Sequence, residues 1–153
     1  KVESAAATLH SLNPLVQVST FNTRADAAFL DAQLPTVDVV LDCCDNFATR
    51  QAVNAACVRH GKPLVSGAAI RFDGQISVYD PRDGQHPCYA CIFPPDAAPP
   101  EAQCATMGVF APLVGIVGAM QAAEALKLLL GPATWALSAS LSAVRNMVAG
   151  MAQ

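Results

Sequence analysis

The chain has 153 residues, of which 53% are hydrophobic and 14% are charged, and its formal net charge is -3. This length suits one domain with a sizeable core. The chain has no net positive charge, which argues against a nucleic acid ligand. So few charged residues are available to cover the fold that we expect part of the apolar surface to meet a partner.

Hydrophobic periodicity predicts alternating helices and strands. In chain order these are helix 1–12, strand 15–21, helix 25–34, strand 37–43, helix 47–60, strand 64–69 and strand 75–79. Pro14 and Pro35 end the first two helices, and Gly61 is expected to cap the third at its C-terminus. This alternation favours an α/β fold with a doubly wound, mostly parallel sheet.

The later part of the chain departs from this rhythm. Prolines cluster between residues 81 and 100, so 82–101 is predicted to be a long crossing loop. The uncharged run 104–123 is as long as a membrane span of about 20 residues. Small residues and the polar continuation Gln121, Glu124 and Lys127 instead favour a buried helix and no membrane. We expect one domain over 1–131 and a divergent Ala/Ser-rich tail over 132–153.

The six cysteines include an adjacent pair and lie largely among apolar residues, unlike the disulfide framework of a small secreted domain. We therefore expect reduced thiols and a cytoplasmic protein. No charged leader with an apolar core opens the chain, which begins with Lys1 in a predicted helix. This start is expected to be a truncation.

An acidic loop follows the strand 37–43, at the edge where α/β sheets bind ligands. Asp42 and Asp45 are therefore candidates to face a nucleotide and its metal. Asp45 or Asn46 is also expected to cap the next helix. The alternative is that Asp45 is only this N-cap, worth about 1 kcal/mol.

Several short segments together carry a family resemblance. They are KVESA (1–5), NP (13–14), LDCCDN (41–46) with Arg50, SGAAIR (66–71), GQ (74–75), CYAC (88–91), Cys104 and GVFAP (108–112). This ordered set closely resembles the ThiF/MoeB/HesA adenylyltransferases, bacterial relatives of ubiquitin-activating enzymes, from Lys1 to about Gly131. The resemblance implies a Rossmann-like sheet whose first nucleotide-binding β-α units, with their glycine-rich loop, lie upstream of Lys1.

The resemblance implies ATP-dependent activation of a small ubiquitin-like (β-grasp) sulfur-carrier protein in molybdopterin or thiamine biosynthesis. In that reaction the C-terminal Gly-Gly carboxylate of the carrier attacks the α-phosphate of ATP, which gives an acyl adenylate and pyrophosphate. Mg²⁺ is implied because both reactants are anionic. A homodimer is implied as well. Without the glycine-rich loop, the isolated 153 residues are expected to bind ATP poorly.

The resemblance also implies roles for individual residues. Lys1 matches the family's phosphate-contacting lysine, Asp45 its catalytic aspartate and Asn46 a neighbouring nucleotide contact. Asp42 and Arg50 are secondary candidates, since Asp42 precedes the catalytic position and Arg50 lies one turn into the helix. Arg50 either faces the ligand or bridges to Asp45 or Asp42.

The cysteines receive different interpretations. Cys88 and Cys91 match the first half of the family's structural Zn²⁺ site, whose second cysteine pair is absent here. They are expected either to form a half-site, with His86 as a further Zn²⁺ ligand, or to be a free or oxidised pair. Cys104 aligns with a cysteine that carries the activated acyl group or sulfur in some members, the alternative being a buried structural thiol. The remaining three are expected to be buried structural residues: Cys43, Cys44 and Cys57.

Two other functions compete with adenylation. One is a non-catalytic remnant that dimerises or docks the carrier through exposed apolar surface. The other is an NAD- or FAD-dependent oxidoreductase, which the sheet pattern alone suggests but which no dinucleotide fingerprint supports.

Overall fold

The computed structural model describes residues 1–97 and 108–131. The helices are α1 (Val2–Leu12), α2 (Ala27–Gln33), α3 (Phe47–His60), α4 (Tyr89–Ile92) and α5 (Ala111–Leu130). The strands are β1 (Val40–Asp42), β2 (Leu64–Ile70) and β3 (Asp73–Tyr79), and two short 3-10 helices span Leu34–Thr36 and Pro95–Ala97. The predicted α/β class is confirmed.

The described strands form one sheet in the order β1-β2-β3. β1 and β2 are parallel, with Asp42 opposite Ser66, and α3 makes the crossover that a parallel pair requires. β2 and β3 are antiparallel, with Ser66 opposite Ser77. The carboxyl ends of β1 and β2 therefore lie at the same edge of the sheet.

Helices cover both faces of this sheet, as a doubly wound fold requires. Leu64 points into a core shared with α2, α3 and α4, which includes Leu34 and Tyr89. Its neighbour Val65 points the other way and packs with Ala125 and Leu128 of α5. Successive residues of a strand point to opposite faces, so β2 contributes to both cores.

Local sequence explains the bounds of α3, which agree with the predicted helix. The Asn46 side chain accepts a hydrogen bond from the backbone N–H of Thr49 at 2.9 Å, which caps the first turn. Gly61 ends the helix with φ at 61°, in the left-handed region that favours glycine. The expected C-terminal cap is thereby confirmed.

The predicted strand 15–21 is wrong. These residues are exposed and form no strand, and Leu15 is 91% exposed. A strand needs a partner edge to satisfy its backbone groups, and no strand of the described residues pairs with this segment. The preceding helix α1 likewise has no buried residue. The predicted crossing loop 82–101 is wrong in part, because it contains α4 and the second 3-10 helix.

The helix α5 is less buried than predicted. Only one stripe is buried, formed by Val117, Gln121, Ala125 and Leu128. Several large apolar side chains on its other faces are exposed, namely Val114, Ile116, Leu126, Leu129 and Leu130. By length and composition alone, α5 is the one described helix that would be able to span a membrane. Its buried stripe packs on the sheet instead. The tail 132–153 lies outside the described residues.

Candidate functional site

The loop that follows β1 begins with a buried carboxylate. The Asp42 side chain is 3% exposed. Its Oδ1 accepts a hydrogen bond from the backbone N–H of Cys44 at 2.9 Å, and its Oδ2 accepts from Arg50 Nη1 at 3.0 Å. The same Oδ2 accepts from Ser66 Oγ at 3.3 Å. Protein groups thus occupy both oxygens of Asp42, which places this residue at the base of the loop rather than facing a ligand.

Arg50 joins the loop to the neighbouring strand. Of the alternatives predicted for it, the structure shows the bridge to Asp42. Its guanidinium also donates to Ser66 Oγ at 3.0 Å, to the carbonyl of Gly67 at 2.9 Å and to the carbonyl of Cys44. Charge-assisted bonds of this kind are stronger than neutral ones, so Arg50 holds the loop firmly against β2.

A third residue reaches the loop from the opposite face of the sheet. Gln121 of α5 donates from Nε2 to the carbonyls of Asp42 at 2.9 Å and Val65 at 3.1 Å. Its Oε1 accepts from Cys43 Sγ at 3.5 Å. From the sequence, Gln121 was predicted only to be a polar residue of a packed helix. Its position as an amide within a long apolar run was the available signal.

Asp45 lies at the exposed tip of the same loop. Within residues 1–97 and 108–131 its carboxylate makes no hydrogen bond or ion pair with the protein. The two neighbours are held in place: Cys44 through its backbone N–H and carbonyl, and Asn46 through its carbonyl, which accepts from Arg50 N at 3.3 Å. The N-cap of α3 is Asn46, so the interpretation of Asp45 as only an N-cap is wrong.

An exposed carboxylate on a fixed loop suits a hard cation. Mg²⁺ is commonly bound through one or two carboxylates together with substrate phosphates and water. The described part of the chain holds no group of three or more metal-ligating side chains. The Asp45 carboxylate can supply one carboxylate ligand of this kind.

Lys1 is not joined to this loop in the structure. It is exposed and precedes α1 as its N-cap residue, without a capping side-chain bond. Among the described residues, no hydrogen bond or ion pair connects its side chain to Asp45 or Asn46. The structure therefore brings together Asp42, Asn46 and Arg50 around the loop of Asp45, but not Lys1.

A small cavity lies beside Arg50, between β2, β3 and α4. Its volume is about 30 Å³, which admits one or two water molecules. Tyr79 is among its lining residues, and burial raises the pKa of the Tyr79 hydroxyl. A nucleotide needs several hundred Å³, so this cavity is too small to hold one.

The Cys88–Cys91 pair lies at the start of α4. The two Sγ atoms are 3.6 Å apart. Two thiolates on one tetrahedral Zn²⁺ would be about 3.8 Å apart, so the spacing suits half of such a site. His86 does not join the pair, since its Nε2 lies 3.2 Å from Oδ2 of Asp83. Among the described residues, no third metal ligand is grouped with the two thiols.

Asn54 of α3 supports this pair. It donates from Nδ2 to Cys88 Sγ at 3.6 Å and accepts from the backbone N–H of Tyr89 at 2.9 Å. Burial alone would raise the pKa of the Cys88 thiol, but the hydrogen bonds from Asn54 and Cys91 hold this pKa below its ordinary value. Cys88 therefore has more thiolate character than an ordinary cysteine.

The remaining cysteines differ from one another. Cys57 is buried, as expected, and burial raises its pKa to about 12. Cys44 is half-buried, and its pKa is also raised to about 12, chiefly by burial. Cys43 is exposed, so the prediction of a buried residue is wrong there. Cys104 lies outside the described residues, and its predicted role stays a prediction.

Comparisons with known proteins agree with the resemblance. The sequence profile of the ThiF family matches residues 1–150. The chain is 46% identical over 134 residues to Molybdopterin-synthase adenylyltransferase of Escherichia coli strain K12, covering 86% of this chain and 52% of that protein. It is 45% identical over 123 residues to Sulfur carrier protein ThiS adenylyltransferase of the same organism, covering 80% of this chain and 48% of that protein.

A eukaryotic relative gives a similar result. Adenylyltransferase and sulfurtransferase MOCS3 of Dictyostelium discoideum is 41% identical over 142 residues, covering 92% of this chain and 33% of that protein. The chain thus spans about half the length of the two bacterial relatives and about a third of this one.

Proposed function

Because the chain belongs to the ThiF family, we propose that it contributes the catalytic loop of an enzyme that adenylates a ubiquitin-like sulfur-carrier protein with ATP. The observation that carries this proposal is the exposed carboxylate of Asp45, on a loop whose other residues are held from both faces of the sheet. The names of three relatives, each an adenylyltransferase, support the same reaction class.

In the proposed reaction, the C-terminal carboxylate oxygen of the carrier attacks the α-phosphorus of ATP. A new bond forms between this oxygen and phosphorus, and the bond to the β-phosphate oxygen breaks and releases pyrophosphate. Both reactants are anionic, so positive charge must be present at the phosphates. Mg²⁺, when bound, supplies this charge neutralisation.

The residues of the chain have distinct tasks in this proposal. Asp45 would hold Mg²⁺, which would supply positive charge to the phosphates. Asn46 starts α3, a helix of 14 residues whose N-terminal N–H groups favour anionic ligands. Arg50 and Asp42 fix the loop, and Lys1 supplies a further cation to the phosphates in the complete enzyme.

The proposal extends to the rest of the molecule. Cys88 and Cys91 are half of a structural Zn²⁺ site, and Cys104 is a thiol able to carry the activated group. The enzyme is a cytoplasmic homodimer that serves molybdopterin or thiamine biosynthesis. The names of the two bacterial relatives, Molybdopterin-synthase adenylyltransferase and Sulfur carrier protein ThiS adenylyltransferase, support these two alternatives.

One observation favours a second candidate, which is a non-catalytic docking or dimerisation module. The exposed apolar side chains of α5, among them Ile116 and Leu129, would be costly to leave in water. Such a module would bind a carrier or a second copy without any nucleotide chemistry. Nothing in the described residues favours an NAD- or FAD-dependent oxidoreductase.

The test is carrier-dependent exchange of labelled pyrophosphate into ATP, measured on this chain and on a form extended upstream by a glycine-rich nucleotide-binding loop. We expect exchange in the extended form and a loss of at least about 100-fold in Asp45→Asn, because a ligand of the charge-neutralising metal is weakened. Asp38→Asn is the control, since Asp38 is an exposed carboxylate outside the loop. Carrier binding without exchange would favour the docking module.

A further inference from the structure

Gln121 is the buried polar residue of α5, with 3% of its surface exposed. Its side chain crosses to the sheet and makes two donated bonds and one accepted bond there. Two of its three partners lie where β1 passes into the loop that carries Asp45: the carbonyl of Asp42, the last residue of β1, and the thiol of Cys43, the first residue of the loop. The third, the Val65 carbonyl, belongs to β2.

The sheet makes room for this side chain at Gly67. A Cβ atom at this position would lie 2.2 Å from Gln121 Cδ and Oε1, closer than such atoms ever approach. Gly67 has no unusual backbone angle, so the need for glycine there comes from the space that the amide occupies. Gln121 and Gly67 thus form a matched pair across the interface of α5 and β2.

The loop is held from the other face by Arg50, which binds the Asp42 carboxylate and the Cys44 carbonyl. Arg50 bonds neither to the Asp42 carbonyl nor to the Cys43 side chain. Gln121 bonds to both, in addition to the pairing of Asp42 with β2. The two residues together determine the path of the chain up to Cys44, from which Asp45 projects.

We propose that Gln121 is a positioning residue of the adenylation site, which fixes the loop of Asp45 through the Asp42 carbonyl and Cys43. This inference rests on the proposed function for its catalytic consequence. A merely structural role would require only that the buried amide find partners, and its loss would then lower the stability of the whole domain without a selective effect on the loop.

The test uses Gln121→Ala, with Gln121→Met as a second variant that keeps a similar side-chain volume but has no donor and so loses both donated bonds. Val117→Ala is the control, because Val117 lies in the same buried stripe of α5. The first readout is amide hydrogen exchange at residues 43–47 compared with that of β2. We expect at least a tenfold faster exchange at 43–47 in either Gln121 variant, and no selective change in Val117→Ala.

The second readout is the carrier-dependent exchange reaction in the extended form. We expect kcat to fall by about 10- to 100-fold in Gln121→Ala while KM for ATP changes less than about threefold, since a misplaced group affects the reacting geometry most. Gly67→Ala should have a similar effect because it displaces the amide. The double variant Gly67→Ala with Gln121→Ala should be no worse than Gln121→Ala alone.

The possible results separate the two proposals. Wild-type kcat in Gln121→Ala, with Asp45→Asn inactive, would overturn the role of Gln121 and leave the proposed function intact. Equal hydrogen exchange at 43–47 in Gln121→Ala and Val117→Ala would also overturn it. If Asp45→Asn remained fully active, the proposed function would fail, and the hydrogen exchange would still decide whether Gln121 fixes the loop.

Discussion

The base and the tip of the loop after β1 have opposite surroundings, although only two residues lie between Asp42 and Asp45. Asp42 at the base is buried and accepts bonds from Arg50, Ser66 and the backbone of Cys44. Asp45 at the tip is exposed. The difference teaches that the buried carboxylate contributes to the fold, and that the exposed one is the carboxylate available to a ligand.

This division follows from the cost of burying charge. A carboxylate removed from water is destabilising unless a cation and further donors compensate it, and Arg50 and Ser66 do so for Asp42. Asp45 pays no such cost because it remains in solvent. Its flanking residues are fixed, so a ligand that binds Asp45 has little loop disorder to remove.

The largest effect on stability is expected from breaking the base of the loop. Arg50→Met should lower the free energy of unfolding by about 3–5 kcal/mol, since it leaves the buried Asp42 charge uncompensated. Arg59→Met is the matched control: Arg59 also lies on α3, but its ion pair with Asp31 is exposed to solvent and contributes little to stability. Urea unfolding measures both, and an equal loss in the two variants would contradict the account.

A smaller effect is expected at the start of α3, between base and tip. Asn46→Ala should cost about 1 kcal/mol of unfolding free energy, because the bond to the Thr49 N–H is lost. Asn46→Ser should keep the stability, since serine also caps helices well. If Asn46 contacts the nucleotide, the serine variant will still lose exchange activity, and full activity would remove that role.

The smallest perturbation of the fold is alkylation of single thiols. The fold stays intact when only a small fraction of each thiol is labelled. At pH 8, Cys88 should react roughly 30-fold faster than Cys44, because a pKa near 12 leaves little thiolate at the base of the loop and higher nucleophilicity offsets this only in part. Iodoacetamide labelling read by peptide mass spectrometry measures the ratio. Faster labelling of Cys44 than of Cys88 would show that the base of the loop is open to solvent.

Local signals predicted much of the fold. The helix over Phe47–His60 was predicted to the residue because its cap and its terminating glycine are both encoded in adjacent positions. The segment 15–21 was misassigned because alternation describes only the strand itself, and pairing depends on a partner edge elsewhere. For α5, apolar composition predicted a buried helix, whereas the amount of neighbouring structure determines how much of it is covered.

The site was predictable to a similar degree. Residues that are close in sequence, such as Asp42 and Arg50, were recognised together, and their bridge was among the predicted alternatives. The contact of Gln121 with the Asp42 carbonyl joins positions 79 residues apart. No local pattern reports such a contact, since it depends on how α5 packs on the sheet. The same holds for Gly67, whose small size matters only opposite that amide.

The most direct test of the separation between base and tip compares Asp42→Asn with Asp45→Asn in urea unfolding and in carrier-dependent pyrophosphate exchange. We expect the unfolding free energy of Asp45→Asn to lie within about 0.5 kcal/mol of the wild-type value, and we expect this variant to lose carrier-dependent pyrophosphate exchange. Asp42→Asn should lose about 3–5 kcal/mol of unfolding free energy, because Arg50 is left as an unpaired buried charge. Equal destabilisation by the two variants, or full exchange activity in Asp45→Asn, would contradict the separation of roles between the base and the tip of the loop.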